Sequence, residues 1–217
     1  SQMFEVPSIA NACAYGDGKV ALFLCDMSAL YTGGASLDDL SASLALYDPE
    51  TGTLGTEWPV TTDSQMGVYN LSGFCSDGQK VYYMDGSRIM GIDPKNGEIK
   101  IAAYTGAGMY GGGGTTALCE NGYYVTDGNS GLSAYLLNSP SLEKGALRIF
   151  GETGSEAHQK FVKAHPEISV EAAGDYASDL ETLTQAMVSD TNTYDVLFLS
   201  LSYMPVDRLL QKGYCAD

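Results

Sequence analysis

Two nonapeptides of one design punctuate the first half of the chain: Leu46-Tyr47-Asp48-Pro49-Glu50-Thr51-Gly52-Thr53-Leu54 and Gly91-Ile92-Asp93-Pro94-Lys95-Asn96-Gly97-Glu98-Ile99. They lie about 45 residues apart, the length of one four-stranded β-unit. Each reads as a turn between two strands. Pro fixes φ at the first corner, Asp bonds the backbone ahead of it, and Gly takes the positive φ that ends the turn. The motif is structural.

Further turn signals surround these copies. Asp17-Gly18, Asp77-Gly78, Asp85-Gly86, Asn121-Gly122 and Asp127-Gly128 each adjoin a short apolar or aromatic run, the pattern of β-hairpins. The predicted strands are 19–25, 43–47, 80–84, 88–92, 99–104, 123–126 and 132–137. Over residues 10–138 the pattern resembles the strand-turn-strand units of bacterial β-propellers of the quinoprotein-like and low-density-lipoprotein-receptor-like kinds. About three units are present, and a closed propeller takes four to eight. Residues 1–140 are therefore expected to form propeller-like antiparallel repeats, with no helix of three or more turns before residue 135. Open strand edges predict self-association, pairing of strands across the two parts of the chain, or aggregation.

A linker at 141–145, led by Asn138-Ser139-Pro140 and closed by Lys144-Gly145, separates this region from residues 146–217, where charge and helical periodicity rise. Residues 147–150 form a predicted strand, and Thr153-x-x-Glu156 has capping-box spacing for a helix carrying Ala157, Phe161 and Val162 that ends at His165-Pro166. Residues 168–172 are a second strand. Ser178-x-x-Glu181 opens a second helix with Leu180, Leu183, Thr184, Met187 and Val188 on one face. Residues 195–199 read as a buried strand, and a last helix holds Pro205, Val206, Leu209, Leu210 and a terminal Gly213. The expected fold is thus an α+β chain in two parts, its second part an α/β half-lobe with three parallel strands. Such a sheet places its ligand crevice beyond the carboxyl ends of its strands.

The ordered set Leu147-Arg148-Ile149-Phe150, Phe161-Val162-Lys163-Ala164-His165-Pro166-Glu167-Ile168-Ser169-Val170-Glu171, Leu180 to Met187, Tyr194-Asp195-Val196 and Leu209-Leu210-Gln211-Lys212-Gly213-Tyr214 is similar to the amino-terminal segment of family 1 extracellular solute-binding proteins. Tyr194 stands where that family usually has proline. The resemblance implies a periplasmic-binding-protein-like lobe, an extracytoplasmic lipoprotein serving an ABC importer, a small-molecule solute of the carbohydrate class, and a membrane permease as partner. It also implies a chain that continues for about 200 to 300 residues to complete both lobes, so that residues 1–217 are a fragment whose precursor is lipid-anchored at the cell surface. The competing reading is a cell-surface β-propeller that binds protein or polysaccharide as an interaction or sensor module.

The strand ends of residues 146–217 supply the candidate ligand contacts: Glu152, Thr153 and Ser155 after the first strand, Asp175 and Tyr176 after the second, Ser202 and Tyr203 after the third. Glu152 and Asp175 could approach as paired carboxylates of a glycosidase, but in a solute-binding lobe they bond ligand hydroxyls or cap helices. Tyr176 and Tyr203 offer faces on which a sugar can stack. No catalytic residue, cofactor or metal is expected. Gly106-Ala107-Gly108-Met109-Tyr110-Gly111 matches a dinucleotide fingerprint literally, yet leads into a strand, so the helix amino terminus that would hold a pyrophosphate is missing. His158 and His165 are read as surface histidines without companion metal ligands. Glu167 and Glu171 are read as a solvated face, and Asp195 as a structural hydrogen-bonding group. Cys13, Cys25, Cys75 and Cys119 sit in or beside apolar runs and are read as buried free thiols, with a disulfide between two of them open if the protein is exported. A formal charge of −16 argues against nucleic acid or anionic lipid as a partner.

Overall fold

The computed structural model describes residues 9–26, 28, 40–62, 67–106, 115–128, 131–151, 156–174, 180–189, 191–198 and 211–213. Among these residues it is a mostly β protein with three antiparallel sheets and one small parallel sheet whose three strands alternate in sequence with two short helices. The chain groups into two compact units: residues 1–103 with 111–139, and residues 104–110 with 140–217. Among the described residues no helix is long and apolar enough to cross a membrane.

In the first unit, β1 (Ile9–Ala14), β2 (Val20–Cys25) and β3 (Ala42–Asp48) are consecutive antiparallel neighbours. β4 (Thr53–Leu54) and β5 (Trp58–Val60) lie one after the other on the far side of β3 and make one interrupted fourth strand. Pro59, which has no N–H to give a ladder, is tolerated on this edge. The second sheet runs β6 (Ser72–Ser76), β7 (Val81–Asp85), β8 (Arg88–Ile92), β9 (Ile99–Tyr104) in chain order. The third has β10 (Thr116–Leu118), β11 (Tyr123–Gly128) and β12 (Gly131–Leu136).

The repeated nonapeptides fold alike. Asp48 Oδ1 accepts from the backbone N–H of Glu50 (2.9 Å) and Thr51 (3.2 Å), and Asp93 Oδ1 from that of Lys95 (2.9 Å). Gly52 and Gly97 close the turns at φ 71° and 74°, each donating its N–H to the carbonyl of the leading Asp. The second turn carries an additional clasp: Trp58 Nε1 donates to the Pro94 carbonyl at 2.9 Å, and its ring lies over Gly97, where an added Cβ would fall 2.3 Å from a ring carbon.

Strand alternation explains the core. Along β7, Val81 and Tyr83 join Ala21, Phe23 and Leu44 in one cluster, whereas Tyr82 and Met84 join Ala102 and Tyr124 in another. The second sheet is thus buried on both faces, between the first and third. β6, its first strand, touches β1 on one side and β10 on the other.

In the second unit, β13 (Ala146–Gly151) pairs in parallel with β14 (Ser169–Gly174) and β15 (Val196–Phe198). Helix α1 (Glu156–Ala164) connects β13 to β14, and α2 (Leu180–Val188) connects β14 to β15. Of the 141–145 stretch, all but Gly145 lies in a short 3-10 helix, Pro140–Lys144.

Several expectations are corrected here. His158 is no surface residue: it is 3% exposed, and its Nε2 meets the Gly106 carbonyl. A carbonyl can only accept, so Nε2 carries the proton. Gly106, at φ 63° and with Val162 3.2 Å from where a Cβ would stand, is the small residue that lets the backbone close on α1. Ala157 is exposed instead. On α2, Leu183 and Met187 are buried while Thr184 and Val188 face out. The strand expected as buried over 195–199 is half-buried over Val196–Phe198, and among the described residues β15 pairs with β13 alone. Glu171 is buried and not solvated, drawn in by Arg148. Cys25 and Cys75 are buried free thiols and Cys13 is half-buried, but Cys119, just beyond β10, is exposed. The capping positions Thr153 and Ser178, the last predicted helix up to residue 210, and most of the glycine-rich fingerprint lie outside the described residues.

Candidate functional site

The parallel sheet has the order β14-β13-β15. The crossover from β13 leads to β14 on one side, and the crossover from β14 passes back over β13 to β15 on the other, so the strand order reverses between β13 and β15. Loops leaving neighbouring strands diverge at that point and open a crevice. In register, Phe150 lies beside Gly174 on one side, and Gly151 beside Phe198 on the other. Neighbouring strands stand about 4.8 Å apart, so three loops start within about 10 Å of one another.

In sequence the seven candidate residues follow those strand ends. Glu152 follows Gly151 directly, with Thr153 and Ser155 behind it; Asp175 and Tyr176 follow Gly174; Ser202 and Tyr203 come shortly after β15. All seven lie outside the described residues.

What positions these strand ends is a polar cluster at the other end of the sheet, which the sequence reading missed. Asp195 and Arg148 exchange two hydrogen bonds: the Arg148 N–H donates to Asp195 Oδ2 at 2.7 Å, and the Asp195 N–H to the Arg148 carbonyl at 2.9 Å. This bears out the structural role expected of Asp195. The Arg148 guanidinium donates to Thr193 Oγ1 at 2.5 Å, pairs with Glu171 at 3.3 Å and lies over the Tyr194 ring at 5.5 Å. One side chain on the central strand thereby ties β14 and the entry to β15. Its sequence signal was a basic residue in one apolar run and an acidic residue at the matching place in the next.

The first unit offers a cleft of about 200 Å³ lined by Lys19, Leu46, Asp48, Thr53, Gly55, Thr56 and Pro94. Hydrogen bonds from the Thr51 and Glu50 backbone hold the Asp48 carboxyl below its ordinary value, and Lys19 adds to this. The cleft falls short of the roughly 300 to 1,000 Å³ of small-molecule pockets, and its carboxylate is committed to its own turn. Among the described residues no cluster of three or more His, Cys, Asp or Glu has metal-holding geometry. Compared with known proteins, the chain matches no protein family and no curated sequence.

Proposed function

We propose that residues 146–217 form one wall of a solute-binding lobe in an extracytoplasmic, lipid-anchored component of an ABC importer, with a carbohydrate as the solute and a membrane permease as the partner. The strand order β14-β13-β15 supports this reading, because an open parallel sheet whose order reverses beside its central strand takes its ligand at the carboxyl ends of those strands. The resemblance to family 1 solute-binding proteins over the same segment supports it. Glu152, Thr153, Ser155, Asp175 and Ser202 are the proposed polar contacts, and Tyr176 and Tyr203 the stacking faces. The role is capture and delivery, not catalysis.

Solute-binding lobes work in pairs: hinge closure brings polar groups and aromatic faces from two walls onto the ligand and expels water. A micromolar site is worth about −8 kcal/mol, and one wall alone supplies a part of that. Residues 1–217 should therefore bind sugars at millimolar strength or weaker, silent in calorimetry at ordinary concentrations. Amide NMR titration with maltose and other oligosaccharides to about 50 mM, where a millimolar site saturates, tests this. Shifts at Gly151, Gly174 and Phe198 are expected. Micromolar binding, or shifts confined to residues 9–128, would move the site onto the β-repeats.

A second reading has its own support. Three consecutive antiparallel meanders, with the first strand β6 of the middle one touching both β1 and β10, are what a propeller-like repeat would supply. On this reading the repeats are an interaction or sensor module for protein or polysaccharide, and the same titration separates the two.

A further inference from the structure

The first two sheets have four strand positions and the third has three. After β3 and after β8 the chain turns through Asp-Pro-x-x-Gly and returns as the fourth strand. After β12 it does not. Asn138 takes a positive φ of 53° and donates its N–H to the Ala102 carbonyl at 2.7 Å. The 3-10 turn follows, and the next strand, β13, pairs with β14 and β15. Among the described residues no strand occupies the place beside β12.

β12 reads Gly-Leu-Ser-Ala-Tyr-Leu, without a charge, a proline or a bulge to blunt its edge. Leu132 is 81% and Leu136 42% exposed. By strand alternation both share a face with Tyr123, which stands opposite Leu136 on β11.

We propose that β12 pairs antiparallel with β12 of a second copy of this chain about a two-fold axis at Ala134, joining two three-stranded sheets into one of six strands. Residues directly opposite in an antiparallel pair share a face, so the axis must pass at a residue and not between two. Centring on Ala134 engages nearly the whole strand and sets Leu132 against Leu136 of the second copy. An apolar row then runs from Tyr123 through Leu136 to the second copy's leucine. The smallest side chain in the centre of the strand meets its own copy at the axis. The chain carries −16 overall, but none of that charge lies on β12, and repulsion beyond about 8 Å is screened at physiological salt. This inference is independent of the transport reading.

Sedimentation equilibrium on residues 1–217 at 0.15 M salt and about 100 µM, where a micromolar dimer is almost fully formed, should give a dimer. Leu132→Lys should raise its dissociation constant at least tenfold without altering the thermal melt measured well below that constant, where both variants are monomers, since Leu132 is exposed. In a Cys119→Ser, Cys215→Ser background, Ala134→Cys should be joined to its copy by diamide, which takes the two thiol hydrogens as the disulfide forms. Ser133→Cys, which would face Tyr135 of the second copy, should not. A monomer throughout, a dimer indifferent to Leu132→Lys, or cross-linking at 133 as fast as at 134 would overturn the proposal.

Discussion

Tyr124 and Tyr83 are both fully buried, yet their hydroxyls are treated differently. Tyr124 Oη donates to the Gly73 carbonyl at 2.6 Å, whereas Tyr83 Oη has no hydrogen-bond partner among the described residues. A buried hydroxyl that is bonded contributes about 1 kcal/mol, and an unbonded one costs about 1 to 3 kcal/mol. Tyr124→Phe should therefore lower stability by about 1 kcal/mol, while Tyr83→Phe should be neutral or raise it, as read from urea denaturation midpoints. Gly73→Ala should be worse than either, because Gly73 has φ 67° and its added Cβ would stand 2.1 Å from Tyr124 Oη. Thiol reactivity divides in the same way. Burial pushes the Cys75 thiol up to about 12 and Cys13 up to about 11, and it also raises Cys25. Only the thiolate reacts with iodoacetamide, so at pH 8 peptide mapping should find Cys119 modified well before Cys13, Cys25 or Cys75.

At the scale of elements, the two Asp-Pro-x-x-Gly turns invite a paired test. Both glycines need positive φ, so alanine at Gly52 should cost about 1 kcal/mol. Gly97→Ala should cost more, because the Trp58 ring must move as well. Asp48, whose carboxyl is held below its ordinary value of 3.8, contributes stability that is present above pH 3.8 and is lost as pH falls through its folded value. Asp48→Asn should flatten that acid-side loss, measured as denaturation midpoints from about pH 5 to about pH 3. In the parallel sheet, Arg148→Ala takes the ion-pair partner from buried Glu171 and should cost about 1 to 3 kcal/mol, below the full buried-pair figure because the guanidinium is partly exposed. Hairpin strands flanked by Asp-Gly turns were legible in the sequence because the turn chemistry is local. β1, β4, β5, β6 and β10 were not: β6 contains Gly73 at a bulge, β5 contains Pro59, and β10 emerges from a glycine run. The loops of the candidate site were legible because helix and strand periods alternate along the chain. The Arg148–Glu171 pair was not, since which strands become neighbours depends on sheet order, and neither was the burial of His158, whose partner lies 52 residues away.

For the molecule as a whole, alkali should be more damaging than neutral pH would suggest. Burial raises Cys13, Cys75, Tyr82, Tyr83 and Tyr124 above their ordinary values of 9.0 and 10.0. The unfolded chain sheds these protons first, so the stability present below pH 9 should decline steadily as pH rises toward about 11, by denaturation midpoint. The two-unit organisation has a different consequence. The second unit is discontinuous in sequence: residues 104–110 belong to it, yet they run from the last residue of β9 toward β10 of the first unit, and Gly106 in that stretch holds His158 of α1. A ribosome adding about 5 to 20 residues per second delivers His158 about 3 to 10 s after Gly106. During that interval the β9–β10 connection waits as an unclaimed tether, and a nascent chain released before α1 emerges would end its life with one strap of the second unit and nothing for it to fasten.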